Sequence, residues 1–125
     1  MAQPLVLIYN LEAPVEARLT ALCERQGIAV SRVNPWEHGL PIGALAGIPV
    51  GRTSAPVLEA GFSDPMLVMC HMLSPQLDAF LQGMRSDGIP RIALKAVLTP
   101  SNVTWSSVQL RDELMREHEA FRNRV

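Results

Sequence analysis

Two continuous apolar runs stand 61 residues apart, Leu5-Val6-Leu7-Ile8-Tyr9 and Met66-Leu67-Val68-Met69-Cys70. Runs of this length without polar alternation are the pattern of strands buried on both faces. A helical period follows each. After the first, Val15, Leu19, Leu22 and Cys23 share one stripe, with Pro14 in the opening turn and Gly27 at the stop. After the second, Leu77, Phe80, Leu81 and Met84 make the stripe, Ser74-Pro75 reads as a cap followed by proline at the first helical position, and Gly88 is the stop. Each helix then leads into a returning strand. The first runs from Ile28 to Val33 and stops at Asn34-Pro35; the second runs from Arg91 to Leu98 and stops at Thr99-Pro100.

This punctuation predicts a single α/β (α+β) domain containing two β-α-β units, at about 4–36 and 65–100. Pro4/Pro65, Pro14/Pro75, Gly27/Gly88 and Ile28/Ile89 coincide at the common offset, which favours an internal duplication. The connecting segment 37–64 is rich in glycine and proline; Leu40 to Gly47 suits a short helix, and Arg52 to Asp64 a loop with an edge strand around Val57-Leu58. A C-terminal helix is expected over about 104–122, capped by Thr104, with Leu110, Leu114, Met115 and Phe121 on one face and His118 among them. The expected architecture is a ferredoxin-like sandwich, four strands with two helices on one face, and the extra C-terminal helix free to cover the other. The alternative is a small open parallel sheet. Asn34 and Thr99 separate the two, lying at opposite edges in the sandwich and at a shared edge in the parallel sheet.

Composition narrows the function classes. Hydrophobic residues make up 48% of the 125 and charged residues 18%, so the chain is expected to fold without staples. A net charge of −1 excludes the broad basic face that nucleic-acid binding needs, although it leaves room for a local anion site. No apolar stretch approaches the roughly 20 residues that span a bilayer, and no leader pattern precedes Leu5. Cys23 and Cys70 form no metal or redox spacing, which fits reduced thiols in a cytoplasmic protein.

The turn Thr99-Pro100-Ser101-Asn102-Val103-Thr104-Trp105 is the first candidate site. It joins a strand end to a helix start, where free N–H groups favour an anion, and Lys95 lies one strand-length away. Lys95, Thr99, Ser101, Asn102, Thr104 and Trp105 are therefore the candidate ligand residues, set against a reading in which Asn102 or Thr104 only caps the helix. Asn34, Trp36, Glu37 and His38 form a secondary candidate, since a carboxylate, an imidazole and an indole within three residues suit a small pocket with a general base. Met69-Cys70-His71-Met72 invites a soft-metal reading, but Met66, Cys70 and Met72 fall on one strand face and Met69 and His71 on the other, so no metal is expected. Cys23, on an apolar stripe, is expected to be inert. Gly83 interrupts its helix and points to close packing or a subunit contact. Gly47 to Thr53 has glycine spacing faintly like a phosphate loop but lacks the Gly-Lys-Ser/Thr ending.

The stretch Gly88-Ile89-Pro90-Arg91-Ile92-Ala93-Leu94-Lys95-Ala96-Val97-Leu98-Thr99-Pro100, with Asn102 and Trp105 after it, resembles a family of bacterial domains of unknown function with a Leu-Thr-Pro signature, DUF3783. The resemblance spans roughly residues 65–121 and leaves the first half uncovered; Ser101 stands where the family pattern suggests threonine. It implies a compact bacterial domain and supplies no activity. With no catalytic constellation and no cofactor motif, the expected function is a non-enzymatic module binding a small anionic ligand or a protein, in a homo-oligomer. The alternatives are a small enzyme using His38, Glu37 or His71 as general base beside the Leu-Thr-Pro turn, and a structural partner in an assembly.

Overall fold

The computed structural model describes residues 3–48 and 62–123, and among these the side chains of all but Trp36 and residues 121–123. The edge strand expected around residues 57–58 and most of the Gly47–Thr53 stretch lie outside the described residues.

The first unit is β1 (Leu5–Tyr9), α1 (Ala13–Gln26) and β2 (Ala29–Arg32). Pro14 sits in the first turn of α1, where a missing N–H costs nothing. Gly27 ends the helix at φ 72°, a left-handed conformation that glycine adopts without a Cβ penalty, and the Ile28 N–H closes the cap by donating to the Cys23 carbonyl at 2.9 Å. A short 3-10 turn, Pro35–Glu37, and the one-turn helix α2 (Ile42–Leu45) follow. The second unit is β3 (Met66–Cys70), α3 (Ser74–Ser86) and β4 (Leu94–Val97), and α4 (Ser107–Asn123) comes last.

The sheet order is β2-β1-β3-β4. β1 is parallel to β2 and β3 parallel to β4, whereas β1 and β3 are antiparallel. The class is the α+β one expected, and the antiparallel seam excludes the open parallel sheet. The strand order departs from the ferredoxin-like plan, in which each β-α-β unit is split by another strand. Here the strands of each unit are direct neighbours, and the units meet back to back.

The register along the seam follows the 61-residue offset. Leu7 pairs with Val68, its own counterpart, and Leu5↔Cys70 on one side is matched by Tyr9↔Met66 on the other. The outer strands break this correspondence. Ala29 pairs with Leu5, immediately after Ile28, but Leu94 pairs with Met66, so Pro90 to Ala93 are four extra residues between Ile89 and β4. β4 is accordingly shorter than the expected Arg91–Leu98.

β2 and β4 are the two outer strands and run in opposite directions. Asn34 and Thr99 therefore sit at diagonal corners of the sheet, although the segments that follow them meet farther on, where Ile42 and Gly43 bond to Trp105 and Val103.

Alternation assigns the faces. Val6, Ile8, Leu67 and Met69 pack under α1 and α3 with Leu19, Leu22, Phe80 and Met84. Leu7, Tyr9, Met66, Val68 and Cys70 pack on the other face with Ile42 of α2 and Leu110 of α4, and Leu114 and Met115 are half-buried against them. The C-terminal helix thus covers the second face. It begins three residues later than the 104 expected, because Ser106 rather than Thr104 makes the cap. The Gln109 N–H donates to Ser106 Oγ at 3.1 Å while Gln109 Oε1 accepts from the Ser106 N–H at 2.9 Å, a reciprocal capping box. In α3 the boundary also shifts: Ser74 is already helical and Leu73 holds the cap position, with no side-chain cap bond. Among the described residues no helix is long and apolar enough to cross a membrane.

Candidate functional site

Lys95 extends β4 opposite Leu67 and so falls on the α1/α3 face, at the open side of the sheet. Lys95, together with the exposed Arg85 at the end of α3 and the exposed Arg91 in the four extra residues, lines a cavity of about 470 Å³. The remainder of the wall is apolar: Leu81 and Met84 from α3, and Ile89, Pro90 and Ile92 from the connection. Among the described residues no carboxylate lines it. Lys95 Nζ donates to the Ile92 carbonyl at 2.6 Å, a neutral acceptor that leaves the charge uncompensated. Arg85 and Arg91 form no ion pair among the described residues. Burial, and then repulsion from Arg91 and Arg85, hold the Lys95 amine below the usual lysine range.

The two units differ most at this point. By register, the residue of the first unit equivalent to Lys95 is Val30, paired with Val6 and packed against the core. At the 61-residue offset Arg85 answers to Glu24, and Arg91 lies in the four residues that the first unit lacks. The positions held by Val30 and Glu24 in the first unit are thus held by Lys95 and Arg85 in the second.

The Thr99 to Trp105 turn uses its polar groups internally. Asn102, only 7% exposed, accepts the Thr99 N–H at 2.9 Å and donates from Nδ2 to the Val97 carbonyl at 3.0 Å, while its own N–H donates to Thr99 Oγ1 at 3.2 Å. Its role is to shape the turn. Ser101 and Thr104 are exposed, and Trp105 is half-buried against the α4-side core. The carbonyls of Trp105 and Val103 accept the Ile42 and Gly43 N–H groups, each at 2.8 Å, so the turn docks on the start of α2. Thr99 borders a separate cavity of about 340 Å³ shared with Pro100, His71, Met72 and Val97; Lys95 is not among its lining residues. The structure thus brings Thr99 and Asn102 together and leaves Lys95 elsewhere.

The Asn34 to His38 turn lies at the opposite end of β1. Glu37 Oε1 accepts both the Asn34 N–H and Asn34 Nδ2, each at 3.0 Å, which closes the 3-10 turn. The Trp36 side chain lies outside the described residues. His38 is fully buried, with Nδ1 accepting the Phe62 N–H at 3.3 Å and its ring 4.4 Å from Phe62 and 5.6 Å from Tyr9. That bond puts the proton of the neutral ring on Nε2, which is buried without a hydrogen-bond partner. Burial lowers the His38 pKa, against a smaller opposing effect of Glu37. Beside it Tyr9 Oη shares a 2.7 Å hydrogen bond with Ser107 Oγ, and burial raises its pKa far above the ordinary value. His38 therefore belongs to a packed aromatic cluster beside the start of α4 and is not among the residues lining the cavity at the Thr99 turn. His71 borders that turn, but its Nε2 contacts the Ala46 carbonyl at 3.3 Å.

The methionine and cysteine segment divides between faces, with one change from the expected alternation. His71 has φ 61°, which turns the chain so that Met72 packs on the α1/α3 side rather than beside Met66 and Cys70. Among the described residues no group of His, Cys, Asp and Glu is placed to hold a metal. Burial pushes the Cys23 and Cys70 thiols up to about 11 and about 12, so both are unreactive near neutrality. Arg85 and Arg91 are the residues the sequence reading missed. Their signal was faint: Arg91 and Lys95 are four apart with no carboxylate between them.

Residues 65–121, which hold the second β-α-β unit and most of α4, match the family model described as Domain of unknown function (DUF3783). All of the residues lining the Lys95 cavity fall within that segment. No curated protein and no solved structure matches the chain.

Proposed function

We propose that this domain is a non-enzymatic binding module for a small anionic ligand, held by Arg85, Arg91 and Lys95. One observation carries the reading: three cationic residues line a single cavity that has no carboxylate in its lining among the described residues. Like charges brought together oppose folding, and an anion entering between them removes that repulsion while gaining charge-assisted hydrogen bonds. Arginine's fork suits a carboxylate or phosphate, and lysine adds a point charge. The absence of His, Asp and Glu from the lining supports binding over proton-transfer chemistry at this cavity.

The test is a thermal-shift and calorimetric titration of the intact chain with inorganic phosphate, acetate and citrate, repeated with Lys95→Met and Arg91→Gln. A ligand-dependent rise in melting temperature that both substitutions abolish supports the module, because ligand binding to the native state stabilises by mass action. Equal responses from wild type and both variants would place any anion elsewhere and sink it.

A further inference from the structure

The cavity has two chemistries, and they are arranged by depth. Met84, Ile89 and Ile92, at 6%, 8% and 4% exposure, belong to the α1/α3 core and present their edges as its floor. Leu81 and Pro90 continue that apolar wall, while Arg85, Arg91 and Lys95 are the charged residues of the lining. A bare inorganic anion would satisfy the cations and leave the apolar floor wet. A purely apolar molecule would cover the floor and leave three like charges facing one another.

From this division we infer that the ligand is a single-headed amphiphile: one carboxylate or phosphomonoester head on an apolar body such as a medium-length acyl chain. The inference rests on the anion-binding reading above and specifies its ligand class. The cavity volume of about 470 Å³ falls in the range of small-molecule sites, too small for a folded partner and large enough for more than a head group. Three of the chain's 11 Lys and Arg residues line this cavity and the net charge is −1, which does not suit a polyanion that needs an extended basic track. Met84, flexible and polarisable, lets the floor adapt to tails of different shape. The contrast within the chain points the same way. Where the first unit begins β2 at Ala29 directly after Ile28, the second has Pro90 to Ala93 before β4, which supply both wall (Pro90, Ile92) and charge (Arg91).

Three probes separate head from tail when titrated calorimetrically into the intact chain: acetate, octanoate below its micellar concentration, and 1-octanol. The expected result is octanoate binding at least tenfold more tightly than acetate or octanol, and weakening at least fivefold with Lys95→Met. This chain has one lysine, so reductive 13C-methylation places an NMR label on Lys95 besides the amino terminus. The Lys95 methyl resonance should shift on adding octanoate. Acetate binding as tightly as octanoate would overturn the amphiphile and leave the anion module standing. Octanol matching octanoate, or no probe moving the Lys95 resonance, would overturn both. Should Lys95→Met fail to fold, the labelled wild type and Arg91→Gln give the same decision.

Discussion

A methyl group built on Gly83 would lie 2.6 Å from Cδ1 of Leu22, so α3 crosses α1 at a point where only glycine fits. Leu22 is 1% exposed and part of the core, and the adjacent Gln26 amide lies 3.0 Å from the same position. The interruption of the helical pattern at Gly83 is therefore explained by close helix packing within the chain. Alanine would gain about 1 kcal/mol of helix propensity. It would also force Leu22 from its packed position, at a cost of about 1–3 kcal/mol. Gly83→Ala is expected to lower the urea unfolding free energy by up to about 2 kcal/mol, and a higher midpoint would show that Leu22 moves freely.

Lys95→Met should separate stability from binding. The substitution gives the position the apolar character that Val30 has in the first unit and removes a half-buried, repelled charge. Its melting temperature is expected to equal or exceed that of wild type while anion binding is lost, the signature of a site maintained against stability. Binding should also fall with rising pH sooner than for an ordinary lysine of pKa about 10.4, since the amine loses its proton early. A variant that unfolds at lower temperature with binding intact would make Lys95 a structural residue.

His38 gives the fold an acid-sensitive point. Its folded-state pKa is depressed, so the unfolded chain binds the proton more readily. The contribution is therefore complete above the unfolded value of about 6.5 and is lost as pH falls below it, by up to about 1.4 kcal/mol per pH unit. Urea denaturation at pH 7.5, 6 and 5 should show this decline. His38→Phe should flatten it, although the Phe62 N–H then loses its acceptor, at a cost of about 1 kcal/mol at neutral pH. If the variant declines as steeply as wild type between pH 7 and 5, another group is responsible.

The start of α4 is resolved by two alanine substitutions. Ser106→Ala removes half of the capping box with Gln109 and should cost about 1 kcal/mol. Thr104→Ala, at an exposed position, should stay within about 0.5 kcal/mol. Chemical denaturation of the pair checks the order, and a larger loss from Thr104→Ala would contradict the observed cap.

Much of this fold was legible because its signals are local. Pro14, Gly27 and the apolar runs at β1 and β3 speak through the conformational limits of single residues and through burial on both faces. The strand order was less accessible, since nothing in Leu5 to Tyr9 states whether β3 runs with or against it. The four-residue insertion was hidden for a related reason. Ile28 and Ile89 coincide at the common offset, and the apolar residues Ile92 and Leu94 do not show which of them begins the pairing. At the site, Lys95 stood out but was grouped with Thr99, its neighbour along the chain. The cavity instead assembles it with Arg85 from the preceding helix, a proximity created by the crossover itself. Ser106 lost to Thr104 because both carry a hydroxyl at a plausible start, although only Ser106 has a glutamine three residues on.

The pairing of Leu7 with Val68 has a further consequence for how the molecule folds. Within each unit the paired strands lie 24 or 28 residues apart in sequence, as in Leu5↔Ala29 and Met66↔Leu94, whereas the seam joins residues as distant as Leu5 and Cys70, 65 apart. The entropy of loop closure thus falls most heavily on the middle of the sheet rather than on its borders. Neither half can bury both sides of its inner strand until the other arrives. Docking of the two halves along β1 and β3 is thus the expected rate-determining event, with the outer strands already in place.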